Sequence, residues 1–313
     1  MRCDVVAVGT ELLLGQIVDT NSAWLGEQMA MAGIDSCVQV KVGDKVIYAV
    51  PGVPFELYEM FERAILPDLL ARSGSQSVIA SRTLRTWGES ESGLNERLHD
   101  LIAELDRVGN PTLAFLASGW EGIKVRLTAK ADSSAAVQEL LDVWDRRVRE
   151  VVGDVVFGVD GDTMESVVLD LLRSRGLTLG LAESVTGGLV AGRLTNVAGA
   201  SDVLRGSVVS YASGVKFDVL GVTPGPVVNE AVAVEMAFGA QRVLGADVGL
   251  ALTGVAGPTD QDGVKPGTLC VGLAMSDGST QSRTLQLPGV RDQMRQLSVI
   301  SALDFLRRAI AEK

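Results

Sequence analysis

The sequence has few cysteines, few aromatic residues and a single histidine. Its 313 residues include three cysteines, and aromatic side chains make up 4% of the chain. Cys3, Cys37 and Cys270 are far apart and form no CxxC pair, so we expect neither a disulfide framework nor a zinc site. Because His99 is the only histidine, a Ser-His-Asp triad would have to include it, and a histidine-rich metal site is excluded.

The sequence also lacks net positive charge and long apolar runs. The formal net charge is −11, and no run of Lys and Arg occurs. Binding of duplex nucleic acid requires a basic face that neutralises phosphates, so we expect no direct contact with nucleic acid. No run of 18 uncharged apolar residues occurs, and the N-terminus has no apolar core with a cleavage site. We therefore expect no membrane span, no signal peptide and a cytoplasmic location.

The apolar residues that are present alternate between predicted strands and helices. Hydrophobic residues make up 47% of the chain, which suits a buried parallel sheet covered by helices. We predict an α/β protein of three parts: a shortened α/β unit over residues 1–74, a small α+β linker module over 75–160, and a layered α/β domain over 161–313. In the first part, we predict strands at 4–9, 35–42 and 45–50 and helices at 21–32 and 55–70.

Three predicted strands of the last part end in small polar residues. The strings that follow them are Glu183–Gly188 (ESVTGG), Ser210–Ser213 (SYAS) and Thr253–Pro258 (TGVAGP). Ligands of open α/β sheets bind outside the carboxyl ends of the strands, and such turns can offer backbone N–H groups to an anion. We therefore predict one pocket at this edge, although each turn alone could equally be a capped turn.

The C-terminal half resembles the C-terminal domain of the CinA family. The resemblance covers about Met164 to Ile310 and rests on four strings in the right order: AESVTGGLVAGRLTNVAGAS, VVSYASGVKFDVLGV, ALTGVAGP and PGVRDQMR. The segment from SRTLRTWGESESGLNERL to GDVVFGVD resembles the family's linking domain, and VGTELLLGQIVDTNSAWLGEQMAMAGID resembles its molybdopterin-binding-like N-terminal domain. The resemblance implies an amidohydrolase, without metal or cofactor, that converts nicotinamide mononucleotide to nicotinate mononucleotide and ammonia. It also implies a homodimer.

The family is described as using a Ser–Lys pair, and the resemblance assigns its residues here. The implied catalytic residues are Ser201 as nucleophile, Lys216 as its base, Tyr211 beside them, and Ser184. The implied substrate-binding residues are Thr186, Gly187, Gly188, Thr253, Gly254 and Arg291, with Arg291 on the phosphate. We also expect backbone N–H groups at 184–188 to stabilise the oxyanion.

The chemistry of amide hydrolysis agrees with a lysine in this role. A serine hydroxyl is a weak nucleophile until a base takes its proton. Because His99 lies outside the domain, a lysine can serve if burial or a neighbouring cation lowers its pKa. Alternatives remain open at this point: Lys216 could be a solvated helix-face lysine, and Ser201 could cap a helix begun by Asp202. Either Ser201 or Ser184 could attack, and we prefer Ser201.

The sequence departs from the family pattern in two places. Val185 stands where family members usually carry Cys, which implies that this Cys is not needed for chemistry. The Gly-Gly-Leu-Gly-Pro-Thr loop of the N-terminal domain is absent. Thr10, Glu11, Asp19 and Asn21 remain, but acidic residues without their partners do not make a metal site, so we expect the family's pyrophosphatase activity to be lost. The alternatives are a nucleotide (ADP-ribose) pyrophosphatase and a non-catalytic accessory protein for competence.

Overall fold

The computed structural model describes residues 2–3, 20–31, 35–36, 48, 54–73, 77–117 and 119–311. The chain divides into two compact units. The first comprises Met1–Thr83, Glu91–Leu116 and Val125–Asp154, and the second comprises Leu84–Ser90, Ala117–Lys124 and Val155–Lys313. The strand predicted at 4–9, most of those predicted at 35–42 and 45–50, and Thr10, Glu11 and Asp19 lie outside the described residues. The predicted domain boundaries stay predictions.

The N-terminal part of the first unit consists of helices around a small core. Its elements are β1 (Arg2–Cys3), α1 (Thr20–Met31), β2 (Asp35–Ser36), α2 (Pro54–Met60), a π-helical turn (Phe61–Ile65) and α3 (Leu66–Ser73). β1 and β2 pair in parallel. The Trp24 ring packs against those of Tyr58 and Phe61, beside buried Met29 and Leu69. The helices predicted at 21–32 and 55–70 are confirmed, the second with a π-helical turn inside it.

The middle of the chain forms a four-stranded sheet with helices. Its elements are β3 (Val78–Thr86), α4 (Glu91–Arg97), α5 (His99–Val108), β4 (Thr112–Ala117), β5 (Ile123–Ala131), α6 (Ser134–Val152) and β6 (Val156–Val159). The strand order is β4-β5-β3-β6. The helical spacing of Leu94, Leu98, Ile102 and Leu105 predicts one helix over 89–106. The prediction is wrong in one respect, because the structure interrupts this helix at Leu98, which has non-helical backbone angles.

The C-terminal part forms a five-stranded mixed sheet. Its elements are α7 (Met164–Ser174), β7 (Leu179–Glu183), α8 (Leu189–Thr195), β8 (Leu204–Val209), α9 (Ser213–Asp218), α10 (Glu230–Leu244), β9 (Val248–Gly254), β10 (Thr268–Ala274), β11 (Thr280–Gln286) and α11 (Arg291–Ala311). The strand order is β11-β10-β9-β7-β8. β7 is parallel to both β8 and β9, whereas β10 is antiparallel to β9 and β11.

The expectation of a parallel sheet is therefore right for three strands and wrong for two. The connection between β9 and β10 is the loop of residues 255–267, all of them described, and it contains no helix. Neighbouring strands joined without a crossover pair in antiparallel fashion, since a parallel pair needs a crossover connection that is usually a helix.

Helices cover both faces of this sheet. The apolar side chains of α7, α8 and α11 form one buried cluster with alternate strand residues, and Trp87 packs against it. On the other face, α10 lies directly on glycines of the strands: a Cβ added at Gly249 would lie 2.0 Å from the Ala237 carbonyl oxygen. This close packing on both faces fixes the strand ends, at which the candidate site lies. None of the described helices is long and apolar enough to cross a membrane.

Candidate active site

The register of the sheet brings three strand ends side by side. Glu183, the last residue of β7, pairs with Val209 at the end of β8 and with Leu252 near the end of β9. Neighbouring strands lie about 4.8 Å apart. The residues that come next along each chain segment are therefore close neighbours: Ser184, Ser210 and Thr253. The structure thus places these three strand ends at one edge of the sheet, as predicted from the sequence.

A cavity of about 350 Å³ lies on these strand ends. Six of the residues assigned from the sequence line it: Ser184, Tyr211, Lys216, Thr253, Gly254 and Arg291. Its charged lining consists of Lys216, Asp260 and Arg291. The volume suits a small-molecule ligand, and the Arg291 guanidinium in the lining can bind an anionic group.

Lys216 is the most unusual side chain of the cavity because it is a buried amine. It lies on the short helix α9 and is only 1% exposed. Its Nζ donates a hydrogen bond to the Ser210 carbonyl oxygen over 2.7 Å. Burial lowers the pKa of Lys216 from its ordinary value, because the charged form loses hydration. The neutral amine that a general base requires is therefore accessible at lower pH than in a solvated lysine.

Ser184 is the serine that the fold places with Lys216. It follows β7 directly, is 9% exposed and lines the same cavity. Its backbone is fixed on both sides, since its N–H donates to the Leu252 carbonyl over 3.0 Å and its carbonyl accepts from the Gly187 N–H over 3.1 Å. A nucleophile held this way has a defined position relative to its base.

The structure does not bring Ser201 to this site. Ser201 lies in an exposed 3₁₀ turn, Ala200–Asp202, before β8, whereas Tyr211 and Lys216 come after it. A six-residue strand spans about 20 Å, so Ser201 lies at the amino ends of the parallel strands and Lys216 at their carboxyl ends. The structure therefore does not bring Ser201 of the same chain beside Lys216, and which of the two serines attacks stays a prediction. No helix begins at Asp202 either, because β8 starts two residues later.

Most backbone N–H groups at 184–188 already have acceptors. The buried Glu183 carboxylate accepts from the N–H groups of Gly188, Val190 and Ala191 and from the Ser207 hydroxyl, and thereby occupies the start of α8. The N–H groups of Ser184 and Gly187 are also used, as described above. Within the part of the chain that the structure describes, the N–H groups of Val185 and Thr186 donate to no protein acceptor. Of these two residues only Val185 lines the cavity, and Thr186 is fully buried, so the expected oxyanion donor is narrowed to the Val185 N–H.

Three residues that the sequence assigns to substrate binding lie in the turn after Ser184: Thr186, Gly187 and Gly188. Thr186 is fully buried, and its Oγ1 has no hydrogen-bond partner among the described residues. Gly187 and Gly188 have φ angles of 61° and 97°, a region that L-residues with a side chain rarely adopt. None of the three lines the cavity, so the turn positions Ser184 and the two free N–H groups.

The mouth of the cavity is formed by an arginine and a tyrosine. Tyr211 is 58% exposed, and its hydroxyl accepts a hydrogen bond from Arg291 Nη2 over 2.5 Å. Arg291 Nη1 donates to the Gly257 carbonyl over 3.0 Å. Deeper in the cavity, the buried Thr253 hydroxyl donates to the Val227 carbonyl over 2.7 Å. Arg291 therefore presents its charge at the solvent side of the cavity, and Lys216 lies at its buried side.

Comparison with known proteins gives the family. Residues 161–310 match the family model "CinA C-terminal domain", residues 81–158 match "Damage-inducible protein CinA KH domain", and residues 4–47 match "Probable molybdopterin binding domain". A relative from Thermoanaerobacter pseudethanolicus described as a competence-damage inducible protein is 30% identical over 98% of each chain. The chain belongs to the CinA family.

This chain is shorter than CinA relatives that it matches. A CinA-like protein from Frankia casuarinae is 47% identical over 88% of this chain and 64% of its own length, so the chain spans about 64% of that relative. The alignment to the Thermoanaerobacter protein has 413 positions against 313 residues here, so about 100 positions lack a counterpart. A solved structure, competence damage-inducible protein A from Klebsiella pneumoniae, is 30% identical over 47% of this chain and 95% of its own, with a TM-score of 0.46.

Two residues of the CinA site were missed in the sequence. Glu183 precedes the nucleophile candidate and caps α8, and Arg295 on α11 contacts the turn after Ser184. The position of Arg295, four residues after Arg291, is a usable signal, since residues so spaced lie on one face of a helix. Among the described residues, no group of three or more His, Cys, Asp and Glu side chains could hold a metal ion.

Proposed function

We propose that the C-terminal domain is an amidohydrolase that converts nicotinamide mononucleotide to nicotinate mononucleotide and ammonia. The observation that carries the proposal is that Ser184 and the buried amine of Lys216 line one cavity. The substrate follows from the motif resemblance set out above, and the reaction class follows from the residues. A hydroxyl, a desolvated amine and a free backbone N–H group are the parts that acyl transfer from an amide needs.

The proposed reaction begins when the Lys216 amine takes the proton of the Ser184 hydroxyl. The Ser184 Oγ attacks the carboxamide carbon, and the carbonyl electron pair moves to the oxygen, which the N–H group of Val185 stabilises. Collapse of this intermediate breaks the C–N bond, and Lys216 returns the proton so that ammonia leaves. Water then attacks the Ser184 ester with Lys216 again as base, releasing nicotinate mononucleotide and restoring the serine.

The phosphate of the substrate is assigned to Arg291. Its guanidinium lies at the mouth of the cavity, held by the Tyr211 hydroxyl and the Gly257 carbonyl, and a planar guanidinium suits a phosphate. In this arrangement, the carboxamide reaches Lys216 while the phosphate stays near solvent. Replacement of Arg291 by Ala should therefore raise KM more than it lowers kcat.

The test is ammonia release from nicotinamide mononucleotide with EDTA present. We expect the wild-type protein to release ammonia at a rate that EDTA leaves unchanged, and Lys216→Met to lose at least about 100-fold in kcat. Lys265→Met, which replaces an exposed lysine, is the matched control and should retain the wild-type rate. If well-folded wild-type protein releases no ammonia, or if Lys216→Met is fully active, the proposal is wrong.

A further inference from the structure

Arg295 contacts the backbone of the turn that carries the two free N–H groups. Its Nε donates to the Val185 carbonyl over 3.2 Å, and its Nη2 donates to the Thr186 carbonyl over 2.7 Å. The side chain is half-buried and reaches the turn from α11. Its two hydrogen bonds join one guanidinium to two successive peptide groups, so the arginine determines the orientation of both.

The pairing of Arg295 differs from that of Arg307, another half-buried arginine on the same helix. Arg307 is held by the Asp304 carboxylate over 2.7 Å. Within the described part of the chain, Arg295 has no carboxylate within 4 Å and is bound only by peptide carbonyls. A guanidinium that polarises carbonyl groups makes the N–H of the same peptide a stronger donor, because hydrogen bonds in series reinforce one another.

The geometry of a trans peptide connects the Thr186 carbonyl with the oxyanion donor. The carbonyl and the N–H of one trans peptide point in opposite directions. The Gly187 N–H belongs to the same peptide as the Thr186 carbonyl, and it donates to the Ser184 carbonyl. The Val185 N–H belongs in turn to the same peptide as the Ser184 carbonyl. The hydrogen bond from Arg295 therefore fixes the direction of the Val185 N–H through two peptide groups in series, before substrate binds.

Gly187 lies next to Arg295 and to the tyrosine of the cavity. A Cβ added there would lie 3.4 Å from Arg295 Nη2 and 3.8 Å from the Tyr211 ring, which are ordinary contact distances. The guanidinium therefore passes close to the backbone of the turn. The φ angle of 61° at this position, rather than a lack of space, is what favours glycine there.

We propose that Arg295 is a positioning residue that preorganises the Val185 N–H group as the oxyanion donor for Ser184. This inference rests on the proposed amidohydrolase function. The substrate carbonyl oxygen acquires its charge only in the transition state, so fixed donors lower the barrier without tightening substrate binding. Loss of Arg295 should therefore reduce kcat and leave KM nearly unchanged.

The experiment compares Arg295→Ala, Arg295→Lys and the control Arg307→Ala in the full chain. We expect Arg295→Ala to lose about 10²–10³-fold in kcat, the range for one oxyanion donor, with KM changed by no more than about threefold. Added guanidinium chloride at millimolar concentration should restore part of the rate of Arg295→Ala, because free guanidinium can bridge the same two carbonyls. Arg307→Ala lies twelve residues along the helix, about 18 Å away, and should keep the wild-type kcat and gain nothing from guanidinium.

Separate outcomes distinguish this inference from the proposed function. If wild-type protein releases no ammonia, the proposed function fails first. If wild type is active but Arg295→Ala keeps its kcat, or loses rate only through a raised KM, the positioning role is refuted. Should Arg295→Ala not fold, as judged by its melting curve, Arg295→Lys decides: it keeps the charge but lacks the planar fork for two carbonyls. A folded Arg295→Lys variant with the wild-type kcat would also refute the inference.

Discussion

Lys216 provides a test of the buried amine that needs no substrate. We consider Lys216→Met, which keeps an unbranched apolar stem and removes the titrating group. Because burial lowers the pKa of Lys216 in the folded protein, the unfolded chain binds one more proton than the folded chain between that lowered pKa and the ordinary value of 10.5. In this window, the free energy of unfolding of the wild type rises with pH relative to the variant, by up to about 1.4 kcal/mol per pH unit.

The direction of the effect is fixed by the sign of the pKa shift. Below the folded-state pKa, the charged amine is buried in wild type, so Lys216→Met has its greatest relative stability there. As the pH rises towards 10.5, wild type recovers this difference. Lys216→Met also changes the free energy of unfolding by removing the hydrogen bond from Nζ to the Ser210 carbonyl and by altering the packing of the stem. These two contributions do not vary with pH in the same way. The pH dependence therefore reports the titration of Lys216.

Hydrogen exchange measured by mass spectrometry on peptides from β7 and β9 is the suitable assay. For each peptide, we divide the exchange rate in the variant by the exchange rate in wild type at the same pH, so that the intrinsic exchange rates cancel in the ratio. A change of 1.4 kcal/mol corresponds to a tenfold change in this ratio. The exposed Lys265 supplies the control: Lys265→Met should give a ratio independent of pH between 6 and 10. The same flat ratio for Lys216→Met would refute the argument that burial shifts this amine.

Three further predictions concern the fold around the site. Gly272→Ala should lower the free energy of unfolding by about 1–3 kcal/mol or more, since its Cβ would lie 2.2 Å from the Ala233 carbonyl carbon; an unchanged melting temperature would contradict this. Hydrogen bonds from Thr178 hold the pKa of Asp247 below its ordinary value, so its contribution to stability is present above pH 3.8 and lost as pH falls. Asp247→Asn should therefore lose more stability at pH 7 than at pH 3 in urea titrations. Burial raises the pKa of Cys270, so iodoacetamide at pH 8 should label it at least tenfold more slowly than in the urea-unfolded chain, as read by peptide mapping.

The alternation of strands and helices was predictable wherever an element is buried on one side or both. β7 and β9 are apolar strands buried along nearly their whole length, and their pattern in the sequence is unambiguous. β11 was missed because its sequence, TQSRTLQ, is polar and exposed on nearly every residue. An exposed edge strand has no apolar alternation, so only its pairing with β10 defines it.

The choice of Ser184 as the nucleophile candidate was available from the sequence by an argument about strand direction. Ser201 comes before the strand that forms β8, whereas Lys216 comes after it. The two ends of one strand lie at opposite edges of the sheet, so these two residues of one chain are separated. Ser184 follows the neighbouring parallel strand, at the same edge as Lys216. The spacing of Arg295 from Arg291 indicates a shared helix face, but the contact of Arg295 with this turn depends on how α11 packs, which the sequence does not show.

The N-terminal third of the chain gives less information about function. Residues 4–47 match the model of a probable molybdopterin binding domain, but the acidic residues at 11 and 19 lie outside the described residues. Loss of the pyrophosphatase activity stays a prediction, as do the homodimer and the cytoplasmic location. Metal-dependent cleavage of ADP-ribose by the purified protein would contradict the first of these, and a monomer in sedimentation the second.

The attacking serine can be identified by removing each candidate hydroxyl in turn. The measurement is kcat for ammonia release from nicotinamide mononucleotide by Ser184→Ala and Ser201→Ala, purified and assayed in parallel with wild type. We predict that Ser184→Ala loses at least about 10³-fold, as for other removed nucleophiles, and that Ser201→Ala stays within about threefold of wild type. Loss of activity in Ser201→Ala with an active Ser184→Ala would mean that Ser184 is not the nucleophile.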